Sequence, residues 1–148
     1  MSQPNVRKAD TGDASLVARL VRELAGSIGE VSDVAAVDVT EFLAHVGNGA
    51  LLAEVDGDVV GLLTYSASPD LYHAGTCCQI REMVVRTSNR RQGIGSRLIG
   101  ELVSLGATAG WREISVSTMK GVSGASEFYR KLGFQDEAIL LERHFDRS

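Results

Sequence analysis

Arg90-Arg91-Gln92-Gly93-Ile94-Gly95 sets two glycines and two arginines between an apolar run, "IREMVVR", and a segment with helical periodicity, "SRLIGELVSLGATA". Such residues at a strand-to-helix turn can hold an anion. A helix N-terminus offers N–H groups without intrahelical partners and a partial positive charge. Glycines at i and i+2 clear β-carbons from the approach, and arginines add charge-assisted contacts. On this stretch alone two readings stand level, a tight turn and a phosphate cradle. Two familiar nucleotide loops are excluded by inspection. A Walker loop needs Gly-Lys-Ser/Thr, which is missing, and a dinucleotide fingerprint needs a third glycine where Leu98 stands.

The surrounding chain is acidic. Its 148 residues carry 15 basic and 19 acidic side chains, a formal net charge of −4, which argues against a nucleic-acid partner. Arg86, Arg90, Arg91 and Arg97 nevertheless cluster around the glycines, marking a local anion site. A composition 44% hydrophobic and 23% charged fits one globular domain over residues 1–148. Arg7 and Lys8 precede polar residues, and Glu54, Asp56 and Asp58 interrupt the most apolar stretch, so neither a signal peptide nor a membrane span is expected. Cys77 and Cys78 are strand neighbours pointing to opposite faces and poorly placed to bridge. A reduced, cytoplasmic protein is the expectation. His45, His73 and His144 show no metal-ligand spacing, so no metal is expected.

The elements that must position the turn follow from periodicity. "NVRKA" reads as a short strand. Asp10 or Thr11 caps a helix with Leu16, Val17, Leu20, Val21 and Leu24 at helical spacing. A polar connection, "GSIGEVSDVAA", leads to a second helix over Val39 to Val46. "ALLAEV" and "VVGLLTYSA" are strands joined by Asp56-Gly57, a two-residue hairpin signal. The loop "SPDLYHAG" precedes a long strand from Thr76 to Arg86. After the glycine turn comes a helix with Leu98, Ile99, Leu102 and Val103 inward and Gly110 as its stop. "REISVST" is a strand, "SGASEFYRKLG" a helix, and "EAILLERHF" a last strand. The order is β-α-α-β-β-β-α-β-α-β: a single α/β domain with a mixed, mostly antiparallel central sheet flanked by helices.

Arg90-x-x-Gly93-x-Gly95, after "MVV" and before an amphipathic helix, resembles the pyrophosphate loop of the GNAT superfamily of acyl-CoA-dependent N-acyltransferases. "ASEFYRKLGF" resembles that superfamily's A-x-x-x-Y-x-x-x-G-F segment, at the expected distance downstream. The element order is similar as well. The resemblance implies an enzyme, an N-acetyltransferase that moves an acetyl group directly from acetyl-CoA to a primary amine. The alternative is a non-catalytic acyl-CoA-binding or regulatory module.

The same resemblance implies roles for particular residues. Arg90, Arg91, Gln92, Gly93, Ile94, Gly95 and Ser96 would cradle the pyrophosphate. Backbone groups of Met83, Val84 and Val85 would pair with the pantetheine arm, and one N–H would polarise the thioester carbonyl. A bulge often splays this strand from the next; sequence alone does not place it. An amine with a pKa near ~10.4 costs roughly 4–5 kcal/mol to deprotonate at neutral pH, so a base is needed. Glu82, the sole carboxylate of the long strand, is the candidate. Tyr129 matches the tyrosine that serves as general acid toward the thiolate. Glu30, Tyr72 and His73, on the two variable loops, are candidates to meet a cationic acceptor, with His73 also a second base. One departure is visible: Val122, with Ser123 adjacent, stands where many members carry Asn. Arg130 and Lys131 either approach the adenosine phosphates or face solvent. A small-molecule amine is the expected acceptor, with a protein acceptor open. The last strand offers an edge for a homodimer.

Overall fold

A computed structural model describes residues 3–119 and 124–146. The chain divides into two units, Met1–Val116 and Ser117–Ser148. The first holds a five-stranded sheet in sequential order: β1 (Asn5–Lys8), β2 (Asn48–Val55), β3 (Asp58–Asp70), β4 (Gly75–Val85) and β5 (Glu113–Val116). β1 to β4 pair antiparallel and β4 pairs parallel with β5, which is the mixed sheet expected from the sequence. The parallel pair is the one that needs a crossover, and the long helix after the glycine turn supplies it.

Local chemistry explains where the elements begin and end. At the β2–β3 hairpin, Asp56 (φ 51°) and Gly57 (φ 85°) both take the left-handed conformation that a type I′ turn demands. Asp10 caps a 3-10 turn over Thr11–Asp13, accepting from the Gly12 amide, while Asp13 accepts from the Asp10 amide. Helix α1 (Ala14–Ser27) continues from it. Arg7 forks onto both Asp13 oxygens at 2.9 Å and places Nε 2.6 Å from Glu54, tying β1, the turn and β2 together. Helix α2 covers Ala36–Ala44, earlier than the expected Val39 to Val46, because Asp38 accepts from the Ala35 amide and so fixes the first turn upstream.

The sheet is covered on both faces. Leu52, Leu62 and Val84 pack with Val17, Ala18 and Leu20 of α1 and Val39 of α2. On the other face lies α3 (Ile94–Ala109), burying Ile94, Leu98, Ile99 and Leu102. Gly110 stops α3 in the left-handed conformation (φ 78°), as expected. Val103, expected inward, is 48% exposed. The buried stripe runs instead through Gly106, on which the Trp111 ring rests; a β-carbon at Gly106 would stand 2.7 Å from it.

In the second unit, α4 spans Ala125–Lys131. The expected last strand is not formed: residues 135–146 carry no strand, and Ile139, Leu141 and Phe145 are exposed. "AILL" is a consecutive apolar run with no period-2 face, and a strand exists only through a hydrogen-bonded neighbour. The edge invoked for a homodimer falls with it. No helix among the described residues is long and apolar enough to cross a membrane.

Candidate functional site

The site begins with a break in register. Thr64 of β3 faces Glu82 of β4, but the next residue, Tyr65, faces Ile80. Arg81 is therefore an extra residue, a β-bulge, and bulges bend and re-aim the strand that carries them. Pairing of β4 with β5 ends at Ile80↔Val116, so residues 81–85 have no strand partner on that side among the described residues. The Arg86 amide donates to Val60 and the Glu82 amide to Thr64, both toward β3. By alternation, the amides of Met83 and Val85 face the open edge.

Glu82 is held at the bulge by Thr64, which is 3% exposed. The Thr64 hydroxyl accepts from the Glu82 amide at 2.9 Å and donates to the Glu82 carboxylate through a short contact. Glu82 itself is half-buried, and only one of its carboxylate oxygens is engaged by Thr64.

Beyond β4 a 3-10 turn, Thr87–Asn89, delivers the chain to the glycine loop. Arg91 (φ 64°) and Gly93 (φ 78°) are both left-handed, and Gly93 is the residue from which α3 starts. No side chain caps α3 and its first turn holds no acidic residue. The first intrahelical bond runs from Arg97 to Gly93 at 3.0 Å, which leaves the amides of Ile94, Gly95 and Ser96 without helical partners. Arg91, Gln92, Gly93, Ser96 and Arg97 are exposed, while Ile94 is buried and anchors the turn. Free backbone amides with positive charge around them are an arrangement that can hold an anion. A β-carbon on Gly93 would meet nothing within 4 Å; the glycine is required by its backbone angle.

The arginines divide. Arg90 Nε donates to the Val85 carbonyl at 3.1 Å, bracing the loop against the open edge. Arg86 lies 3.6 Å from Glu23 of α1, away from the cradle's role. Arg91 and Arg97 are exposed beside the uncapped turn. A further residue fixes where that turn sits. A β-carbon on Gly61 of β3 would come within 3.0 Å of Ile94 and 3.2 Å of Leu98, so its absence lets α3 settle on the sheet directly behind Val85, its strand partner. Sequence reasoning passed over Gly61; a glycine inside the apolar run "VVGLLTY" is the signal that could have marked a close approach.

Tyr129 belongs to the second unit. It is 8% exposed, with its ring 5.1 Å from Phe128 and 5.4 Å from Phe134 in edge-to-face contacts. Burial raises its pKa above the ordinary tyrosine value, keeping the phenol protonated at neutral pH. Arg130 is engaged bidentately by Asp136 at 2.9 and 3.0 Å. Val122 and Ser123 lie outside the described residues.

Of the loop candidates, Tyr72 and His73 come together, rings 5.1 Å apart, in the turn between β3 and β4. Tyr72 is exposed, whereas His73 is turned onto Asp70. Glu30 is exposed on the α1–α2 connection. Cys77 and Cys78 are free thiols; burial pushes the Cys78 pKa up to about 12, which makes it an unreactive core residue.

The site thus sits where the fourth strand of a mixed α/β sheet opens beside an uncapped helix N-terminus. Residues 17–134 match the Acetyltransferase (GNAT) family, and the chain belongs to that family. Solved structures agree on the fold. A ribosomal-protein-alanine N-acetyltransferase from Brucella melitensis superposes with a TM-score of 0.83 at 18% identity, over 97% of this chain and 100% of that one. An aminoglycoside acetyltransferase from an uncultured soil metagenomic sample, in complex with sisomicin, gives 0.83 at 20% identity, over 98% and 97%. A transcriptional regulator from Bacillus halodurans gives 0.84 at 25% identity, over 97% and 100%.

Proposed function

We propose that residues 1–148 act as one acetyl-CoA-dependent N-acetyltransferase domain that acetylates the primary amine of a small molecule. The observation that carries this reading is the Arg81 bulge, which frees the β4 edge just before an uncapped α3. A pantetheine arm fits a strand edge, and its pyrophosphate fits a helix N-terminus; the residues present match both halves of coenzyme A. When bound, acetyl-CoA supplies an acyl group activated as a thioester.

The chain's own residues then divide the work. The amides of Ile94, Gly95 and Ser96, with Arg91 and Arg97, neutralise the pyrophosphate. The amides of Met83 and Val85 align the arm, and one of them polarises the thioester carbonyl. Glu82, held by Thr64, takes the proton from the ammonium acceptor, directly or through water. Tyr129, kept protonated by its apolar surroundings, donates to the departing thiolate. Glu30 and Tyr72, exposed on their loops, contact the acceptor. Likeness to an aminoglycoside acetyltransferase favours a small amine. Likeness to a ribosomal-protein-alanine N-acetyltransferase sustains a protein N-terminus as the second reading.

Release of the coenzyme A thiol, followed over a panel of amines and N-terminal peptides, tests this. Turnover on at least one amine is expected, with kcat lowered about 10²-fold or more by Tyr129→Phe. Tight acetyl-CoA binding with no turnover on any acceptor would instead favour a non-catalytic, regulatory module.

A further inference from the structure

The turn between β3 and β4 brings together three donors that sequence spacing alone did not mark as a set. Asp70 ends β3, His73 lies in the turn and Cys77 is the third residue of β4. One ligand atom from each lies within 4.8 Å of the other two. His73 Nδ1 is 2.5 Å from Asp70 Oδ2, and the other ring nitrogen, Nε2, is 3.5 Å from Glu113 Oε1 on β5. The His73 and Asp70 side chains are 34% and 40% exposed, so an ion reaches them from solvent.

We propose that Asp70, His73 and Cys77 form a site for a divalent transition metal of the zinc class, with Glu113 orienting the histidine. The donor set makes the choice of metal. A thiolate with an imidazole suits zinc and its neighbours, whereas magnesium and calcium prefer oxygen donors alone. The geometry then assigns the nitrogen. Glu113 lies 3.5 Å from Nε2, near enough for a carboxylate to draw that nitrogen's proton and leave the opposite nitrogen for a metal. Nδ1 in turn faces Asp70, and Cys77 lies within reach of the same cluster.

The proton balance is explicit. A contact of 2.5 Å between Nδ1 and a carboxylate oxygen requires a proton between them. The metal replaces that proton and the thiol proton of Cys77, so both leave to solvent, and no redox change occurs. Bond lengths near 2.0 Å to N and O and 2.3 Å to S place tetrahedral ligand atoms about 3.3–3.6 Å apart. Asp70 and His73 therefore separate by about 1 Å on binding, within side-chain motion for partly exposed groups. Three protein ligands leave a fourth position for water. Arg112, beside Gly75, opposes the cation, but two carboxylates and a thiolate outweigh it. The site would pin the turn that carries Tyr72, and it stands independently of the acyltransferase reading.

Titration of the full chain with Co²⁺, under reducing and oxygen-free conditions, reads the site directly. One equivalent should produce a sulfur-to-cobalt charge-transfer band with visible bands of tetrahedral intensity, and Zn²⁺ should displace it. Cys77→Ser should abolish the charge-transfer band, and His73→Ala should weaken binding at least ten-fold. Zn²⁺ should raise the melting temperature of the wild-type chain but of neither variant. Absence of the band in the wild type, its persistence in Cys77→Ser, or equal thermal shifts in all three would overturn the proposal.

Discussion

Thr64 is bonded twice to Glu82, once through the Glu82 amide and once through its carboxylate, at the position where the β3–β4 register breaks. The hydroxyl thus holds both the bulged backbone and the candidate base in one orientation. Thr64→Val keeps the shape and removes the donor. It should lower kcat by about ten-fold, equivalent to about 1.4 kcal/mol, while leaving the KM for acetyl-CoA within two-fold. Steady-state kinetics in both substrates checks this; a change confined to the KM for acetyl-CoA would contradict it.

Replacing the base itself should have a different signature. Glu82→Gln removes the proton acceptor, and kcat should fall about 10²- to 10⁴-fold at neutral pH. The loss should shrink as pH rises or when an amine of lower pKa is offered, because the acceptor then arrives already neutral. A pH–rate profile on two amines of different basicity separates this from simple misfolding, which would depress all points alike.

At the proposed cradle, backbone should matter more than charge. Gly93→Val forces a β-branched residue to φ 78° and so distorts the first turn of α3, a strain on the order of 1–3 kcal/mol. Arg91→Ala removes one exposed charge, on the order of 0–1 kcal/mol. Calorimetry should show coenzyme A affinity falling more for Gly93→Val. The opposite order would mean that the arginine, and not the amides, holds the pyrophosphate.

Gly61 offers a test at a distance. Gly61→Ala puts a methyl group within 3.0 Å of Ile94 and 3.2 Å of Leu98, so the start of α3 must shift by a few tenths of an ångström. A destabilisation of about 1–2 kcal/mol is expected, with the KM for acetyl-CoA raised several-fold and the KM for amine unchanged. Denaturant unfolding and kinetics together check both halves.

Acid should unfasten β1 from its neighbours. The Arg7 hydrogen bonds hold the Asp13 pKa below the ordinary carboxylate value, so Asp13 is depressed in the folded state. Its stabilisation is complete above the unfolded pKa and is lost as pH falls through the folded one. Asp13→Asn should therefore cost about 1–2 kcal/mol at pH 7 and progressively less below about pH 4. Urea unfolding at several pH values measures that convergence; parallel curves at all pH values would refute it.

Local features of this protein were readable before any coordinates, and long-range ones were not. The start of a helix at the Gly93-x-Gly95 turn was legible because a helix start is decided within a few residues. The Asp56-Gly57 turn was legible for the same reason. The bulge at Arg81 depends on the register of strands 18 residues apart, and no composition rule specifies which residue is extra. Thr64 looked like one more strand threonine until its partner was known. Asp70, His73 and Cys77 stand at i, i+3 and i+7, a helical spacing, but in a strand–turn–strand segment; the path of the turn, not a helix, makes them neighbours. Residues 137–145 illustrate the opposite error, since an apolar run was read as a strand without a ladder to join.

The open stretch of β4 carries one more consequence. Recognition there would rest on atoms that every amino acid except proline possesses. Met83 and Val85 would then be free to change identity while the proposed task stays constant, and replacing side chains one at a time would pass over them in silence. The positions would declare themselves only to a probe that edits the main chain, such as proline or an amide-to-ester exchange. A catalogue of this protein's important residues drawn up from alanine variants would leave out the stretch proposed to grip the acyl donor.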